Sequence, residues 1–285
     1  MHIPDMMIQG AVCPVTGALA AIGLAGTAYA AYKTKDKPAA SLFGGVTALI
    51  FAAQMANFPI LVGTSGHLLG ATLAVALLGS AFGIIAMSLA VITQCLVFAD
   101  GGISVLGANL LNIALIASLP AVLVREFYKG ASYKKTAYFA AAFVSTLIAA
   151  AACAVQLALA GVAPIQTVLP AMLSVHALIA IAEAGLTLSL LAVLAQTMTR
   201  VAPHRAWIVP LGFAVAVALV VSPFASALPD GLESVAAAFS LESGALFAAP
   251  FAEYTAFTGL VGVVALFAIA YGTGRAFVRS EKRSA

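Results

Sequence analysis

The feature that most limits what this chain can fold into is where its charges stand. Its thirteen Lys and Arg fall into four clusters, at residues 33–37, 125–135, 200–205 and 275–283, separated by long apolar stretches. A helix needs about 20 apolar residues to cross the hydrocarbon of a bilayer. Inside that hydrocarbon only helices and closed barrels satisfy their own backbone polar groups. The alternating pattern of barrel strands is absent. The chain therefore reads as an all-α polytopic membrane protein, with lipid as its surroundings. Composition agrees, since 63% of the 285 residues are hydrophobic and 8% are charged, where a soluble domain carries about a quarter. The net charge of +3 sits at span ends and gives no reason to expect nucleic acid as a partner.

The clusters also set the topology. Cytoplasmic loops carry the excess of Lys and Arg, so the cluster after the first span places the N-terminus outside. Spans are expected at about residues 8–32, 41–57, two within 68–98, then 105–124, 137–160, 172–197, 207–224 and 254–271. The uncharged stretch 68–98 is too long for one span and is broken at Gly79-Ser80 into a hairpin. Pro164 and Pro170 mark an outer loop before the seventh span. This gives nine helices, with every Lys and Arg (Lys129, Arg279, Lys282 and Arg283 among them) on the cytoplasmic side and the C-terminus cytoplasmic. The expected location is the cell (inner) membrane, multi-pass. Cys13, Cys95 and Cys153 lie in apolar stretches without CxxC spacing, as small packing residues do. Gly17, Ala21, Ala25 and Ala28, with Gly44 and Gly45, allow close helix contact, within the chain or against a partner.

Against this background the few polar groups stand out. A chain that begins Met1-His2 carries three nitrogen donors in two residues: the α-amine, the His2 backbone amide and the His2 imidazole. Together they can close two fused chelate rings on a divalent ion. A further imidazole, His67 in the loop Gly63-Thr64-Ser65-Gly66-His67, would complete a flat set of four nitrogens, the geometry that suits Ni(II) or Cu(II). The missing basic n-region argues against a signal peptide, and the bulk of His2 argues for retention of Met1. Residues 1–5, stiffened by Pro4, can fold back between helices as a plug. His176 and Glu183 are seven residues apart on nearly one helix face, as a polar lining for a metal route or as an interhelical hydrogen bond. An ionisable residue in a span normally faces the bundle interior or a wet cavity. Gln94 and Asp100 flank the outer end of the fourth span, where Asp100-Gly101-Gly102 suits a tight turn. Asn57, Asn109 and Asn112 can hold that turn or orient His2 or His67. An acidic outer stretch carries Asp230, Glu233, Glu242 and Glu253. No phosphate loop, H-E-x-x-H or G-x-S-x-G motif is present, so no catalytic site and no ATPase is expected.

Several stretches resemble the CbiM/NikM family, the cobalt/nickel substrate-binding (S) components of energy-coupling factor (ECF) transporters. They are Met1-His2-Ile3-Pro4-Asp5, Gly66-His67-Leu68-Leu69-Gly70, Gln94 to Gly102, and His176 to Ala184. From about residue 201 the chain resembles the small CbiN/NikN-type partner, whose PDGLE motif stands here as Pro229-Asp230-Gly231-Leu232-Glu233. The resemblance implies a fused NikMN-type protein: a metal-binding domain over residues 1–200 with seven helices, and a PDGLE domain over 201–285 with two. It implies metal held by Met1, His2 and His67, and work with a CbiQ/NikQ-type coupling subunit and CbiO/NikO-type cytoplasmic ATPases. The chain departs from the family at Met6-Met7, where relatives commonly carry a Gly-Phe pair. Ni(2+) is the expected cargo, because planar nitrogen ligation through a deprotonated amide rewards nickel more than cobalt. Co(2+) in the same architecture is the alternative. Two remoter readings are a haem-binding oxidoreductase subunit using His67 and His176, and a scaffold subunit that binds no metal.

Overall fold

The computed structural model describes residues 1–60, 63–128, 134–241, 243–246, 248–251 and 253–284, with side chains of the last helix described as far as Val278. Lys129 and Glu242, and the side chains of Arg279, Lys282 and Arg283, lie outside the described residues.

The described chain is mostly helical. In order it forms α1 (Val12–Lys33), α2 (Ala40–Met55), a hairpin of β1 (Phe58–Ile60) and β2 (Thr64–Gly66), α3 (Ala71–Leu78) and α4 (Ser80–Phe98). There follow α5 (Leu106–Phe127), α6 (Lys134–Leu159), α7 (Ile165–Met198), α8 (Pro203–Phe224), α9 (Gly231–Ala238) and α10 (Ala256–Ser284). Seven of these (α1, α4, α5, α6, α7, α8 and α10) are long and apolar enough to cross a membrane. The protein is a multi-pass helical membrane protein.

The bundle is built round α2, which is buried without interruption from Phe43 to Met55. Helices α4, α8 and α10 pack on it. Its two glycines decide how closely. A Cβ on Gly45 would lie 2.8 Å from the Trp207 carbonyl, and one on Gly44 would lie 3.0 Å from that of Phe267. The small residues of this helix thus serve packing inside the chain. Gly17 of α1 is met in the same way by Gly107 of α5, while most of the rest of α1 is exposed.

Three elements differ from the sequence expectation. The first half of stretch 68–98 is not a full helix. Residues 67–70 stay non-helical, and α3 has only 8 residues before the break at Gly79 (φ +90°). At about 1.5 Å per residue such a helix covers less than half of the hydrocarbon. The β1–β2 hairpin, paired antiparallel with Phe58 opposite Gly66, leads into this buried stretch, where Ser65, Leu68 and Leu69 are all inside. Second, Pro170 does not stop α7, which begins at Ile165 and continues through it to Met198. A proline inside a helix forfeits one backbone hydrogen bond and crowds the carbonyl four residues back, but its fixed φ is compatible with the helix. Third, the first span starts at Val12 rather than near residue 8, because residues 1–10 fold back into the bundle.

The bundle has two polar ends. One gathers Thr34, Asp36, Gly79, Ser80, Arg125 and Glu126 round a cavity of about 500 Å³, where the Ser80 hydroxyl donates to Glu126 at 2.8 Å. The other gathers the N-terminus, the hairpin, the turn after α4 and the segment before and after α9.

Candidate metal centre

The N-terminal segment is held by backbone recognition. The Asn109 side chain clamps Ile3 from both sides, its Oδ1 accepting from the Ile3 N–H at 2.8 Å and its Nδ2 donating to the Ile3 carbonyl at 3.0 Å. Gly102 N–H also donates to the Ile3 carbonyl, at 2.9 Å. Asp5 Oδ1 accepts from Ser104 N at 2.9 Å and Ser104 Oγ at 2.6 Å, and Asp5 Oδ2 accepts from Leu246 N at 3.1 Å. The glycines of Asp100-Gly101-Gly102 are needed for this contact. A Cβ on Gly102 would lie 2.3 Å from the Asp5 nitrogen, and Gly101 holds φ +90° with Asn109 and His2 against it. Ile3 and Ile8 are fully buried and Met1 is 6% exposed.

This segment brings the Met1 amine to His67. The amine nitrogen lies 3.3 Å from His67 Nε2. Two nitrogens at adjacent corners of one metal ion sit about 2.9 Å apart when each metal–nitrogen bond is about 2.0 Å. The other ring nitrogen of His67, Nδ1, donates to the Leu68 carbonyl at 3.1 Å, so its Nε2 lone pair faces the amine. A backbone carbonyl fixing the tautomer in this way is the usual support of a metal-binding histidine. The His2 ring stacks on that of His67, with centroids 5.9 Å apart and planes 15° from parallel. Only Nδ1 of His2 can close a chelate with its own amide nitrogen. That Nδ1 lies 3.0 Å from Asp100 Oδ1, and Nε2 is buried without a partner. An ion taking the amine and Nδ1 would replace two carboxylate contacts, because the amine is paired with Asp230.

The electrostatics follow from burial and those two carboxylates. Burial works against charge on the amine, but Asp230, with Asp100 and Glu233 further off, outweighs it and raises the amine's pKa. Burial and the neighbouring amine lower His67 to about 4, which keeps the imidazole neutral. Burial opposes ionisation of Asp100 and Asp230, yet His2 for the first and the amine for the second hold both well below the ordinary carboxylate range.

The remaining residues singled out in the sequence divide. Glu183 makes the hydrogen bonds between elements that were one of its two expected uses. Its carboxylate accepts from Leu69 N at 2.6 Å and Gly70 N at 3.0 Å, capping α3 and fixing the backbone beside His67. Gln54 donates to the Leu69 carbonyl from the other side at 2.8 Å. His176 and Glu183 bond to different partners, the Met172 carbonyl and the Leu69 and Gly70 N–H groups. It borders a cavity of about 20 Å³ together with Met1, His67 and Asp230. That is room for about one water, and a porphyrin does not fit between His67 and His176. Asp100 reaches His2, and Tyr254 donates to its other oxygen at 2.8 Å. Gln94 is buried behind that pair, near the Tyr254 hydroxyl. Asn112 pairs with Gln156, at 2.8 and 2.7 Å, rather than with the turn. Asn57 contributes its carbonyl to Ser226 at 2.8 Å.

Asp230 and Asp5 were missed as parts of the site. A signal for the first was present. Asp230-x-x-Glu233 is a capping box, and it starts α9: Asp230 accepts from Glu233 N at 2.9 Å, and Glu233 accepts from Asp230 N at 2.8 Å. This places the other Asp230 oxygen at the amine. The acidic loop is thus partly a helix start. Ser65 binds the same turn, N–H to the Pro229 carbonyl at 2.8 Å and Oγ to the Leu228 carbonyl at 2.7 Å. The C-terminal unit therefore holds both the amine and the His67 loop.

Helices of bilayer length surround a small cavity bordered by Met1, His67, His176 and Asp230, within a multi-pass membrane protein. The chain belongs to the CbiM family, described as the cobalt uptake substrate-specific transmembrane region, which matches residues 2–201. It is 32% identical over 295 aligned residues, covering 96% of this chain and 98% of the relative, to a putative fused nickel transport protein NikMN of Archaeoglobus fulgidus. A putative metal transport protein of Haloquadratum walsbyi is 39% identical over 194 residues, covering 66% of this chain and 86% of its own. A crystal structure titled as a truncated transition metal transporter superposes with a TM-score of 0.61 at 31% identity, covering 69% of this chain and 99% of the other.

Proposed function

We propose that this protein is the substrate-binding component of an ATP-driven ECF importer and takes up Ni(2+) from outside the cell. The cargo is held by four nitrogens: the Met1 amine, the His2 amide and imidazole, and His67 Nε2. The observation that carries this reading is the buried approach of the amine to His67 Nε2 at 3.3 Å, with the His2 ring stacked alongside. Among the described residues no three His, Cys, Asp or Glu are grouped to hold an ion by side chains alone. Binding here depends on the amine and amide, donors that suit a metal rewarded by planar nitrogen ligation.

In this reading the chain crosses the inner cell membrane nine times. The passage at α3 is completed by the hairpin and the extended stretch before it, the N-terminus is outside and the C-terminus cytoplasmic. Residues 1–200 form the metal-binding domain, and 201–285 form a PDGLE domain docked on it. Energy comes from separate cytoplasmic ATPases through a transmembrane coupling subunit. Asp100, Asp5, Asn109 and Glu183 position the donors. Cobalt is the second reading, favoured by the family's description as a cobalt uptake region.

The test is nickel binding to the purified protein. The wild type is expected to bind one Ni(2+) with the diamagnetic planar spectrum, and His67→Ala to lose that spectrum. A planar diamagnetic nickel spectrum that survives in His67→Ala removes His67 from the ligand set. Competition between labelled nickel and cobalt in uptake separates the two cargoes.

A further inference from the structure

We propose that His176 is a fifth nitrogen donor, which the site offers to metals that four planar nitrogens do not satisfy, Co(II) first among them. The proposal rests on the Met1–His2–His67 reading and deepens it. His176 is a specificity-determining residue in this account, and decides how far the site admits cobalt beside nickel.

The case begins with the ring itself. His176 Nδ1 donates to the Met172 carbonyl one turn back on α7 at 2.7 Å, which fixes the tautomer and leaves the lone pair on Nε2. His176 is 1% exposed and Nε2 has no hydrogen-bond partner. A buried polar atom without a partner is uncommon. Here it borders the same cavity of about 20 Å³ that Met1, His67 and Asp230 border. Gly231 keeps that space open, since a Cβ there would lie 2.8 Å from Nε2. Three donor-bearing residues and a carboxylate thus surround a volume that suits one small ion or water.

The discrimination follows from ligand preference. Ni(II) bound to amine, deprotonated amide and imidazoles is satisfied in a plane and gains little from a further donor. Geometry and donor type separate metals where raw affinity does not. Co(II) gains less from the planar field and takes an added donor readily. A neutral imidazole beside the planar set therefore stabilises cobalt selectively.

The experiment uses the full chain with Ni(II) and Co(II) chloride titrated in parallel into the wild type, His176→Gln and His176→Leu. Glutamine keeps the polar volume, and leucine removes the donor outright. Co(II) affinity is expected to fall about tenfold or more in both variants, the scale on which lost supporting groups weaken metal sites, with Ni(II) affinity unchanged within a factor of about two. The wild-type Co(II) absorption spectrum, which needs no variant, should show five-coordination. Equal losses for both metals would assign His176 to packing against Gly231 and overturn the proposal, as would no change for either or a four-coordinate wild-type Co(II) spectrum. A wild type extended by one N-terminal residue tests the underlying reading separately. Loss of both metals supports it, and retention of both sinks the chelate and this proposal together.

Discussion

At the scale of single residues, the site is defined by which protons an ion must displace. The amine is held protonated by Asp230, the amide carries its own proton, and His67 is neutral above about pH 4. In the proposed site, loading releases at least two protons, one each from the amine and the amide. Because bound protons compete with metal, affinity should fall by at least about a hundredfold per pH unit as the pH drops below the raised amine pKa. Proton release measured by calorimetry in buffers of different ionisation enthalpy checks this. Asp230→Asn leaves burial as the main influence on the amine and favours its neutral form, so release near neutral pH should fall by about one proton. Gly102→Ala forces a Cβ into the Asp5 backbone. It should weaken nickel binding more than about tenfold while leaving helix content by circular dichroism unchanged. The proposed donors were legible in the sequence, because Met1-His2 is chelating chemistry wherever it folds and only four histidines exist. Asp230 and Asp5 were not, since a carboxylate's partner across the fold leaves no mark in local spacing.

At the scale of elements, the decisive piece is α3. Its start is made of backbone that cannot pair within a helix, and Glu183 supplies the missing acceptors at Leu69 and Gly70. A buried N–H left unpaired costs about 1–3 kcal/mol. Glu183→Ala strands two of them and should lower the thermal midpoint in detergent and weaken nickel binding together, with Glu183→Gln intermediate. An unchanged midpoint for Glu183→Ala would show that the cap carries no weight. Apolar length located the long helices well, because bilayer-length runs have little else to become. It overreached at residues 68–70, where the apolar composition is that of a helix but Gly66 and Gly70, packed against Ile179 and Ile50, leave the chain unwound ahead of α3, while the break at Gly79 falls where expected. It also passed over α9, whose capping box is a short-range signal inside what looked like an acidic loop.

At the scale of the whole molecule, residues beyond 201 make direct contacts with the candidate site. Asp230 reaches the amine, Pro229 and Leu228 hold the Ser65 turn, Gly244 pairs with Asp5, and Tyr254 holds Asp100. The proposed topology puts the loop at Asp36 inside the cell and the turn at Ile103 outside. Single cysteines at Asp36 and Ile103, in a chain freed of its native cysteines, test it. An impermeant maleimide added to intact cells should label position 103 and reach position 36 only after permeabilisation, and the reverse pattern would invert the topology. If the first nitrogen of the chain is a metal ligand, as proposed, one added N-terminal residue removes it. A chain extended by a single glycine before Met1 should fold with unchanged helix content and lose high-affinity nickel binding, because the amine is displaced and an amide stands in its place. Nickel affinity equal to that of the unextended chain would contradict it.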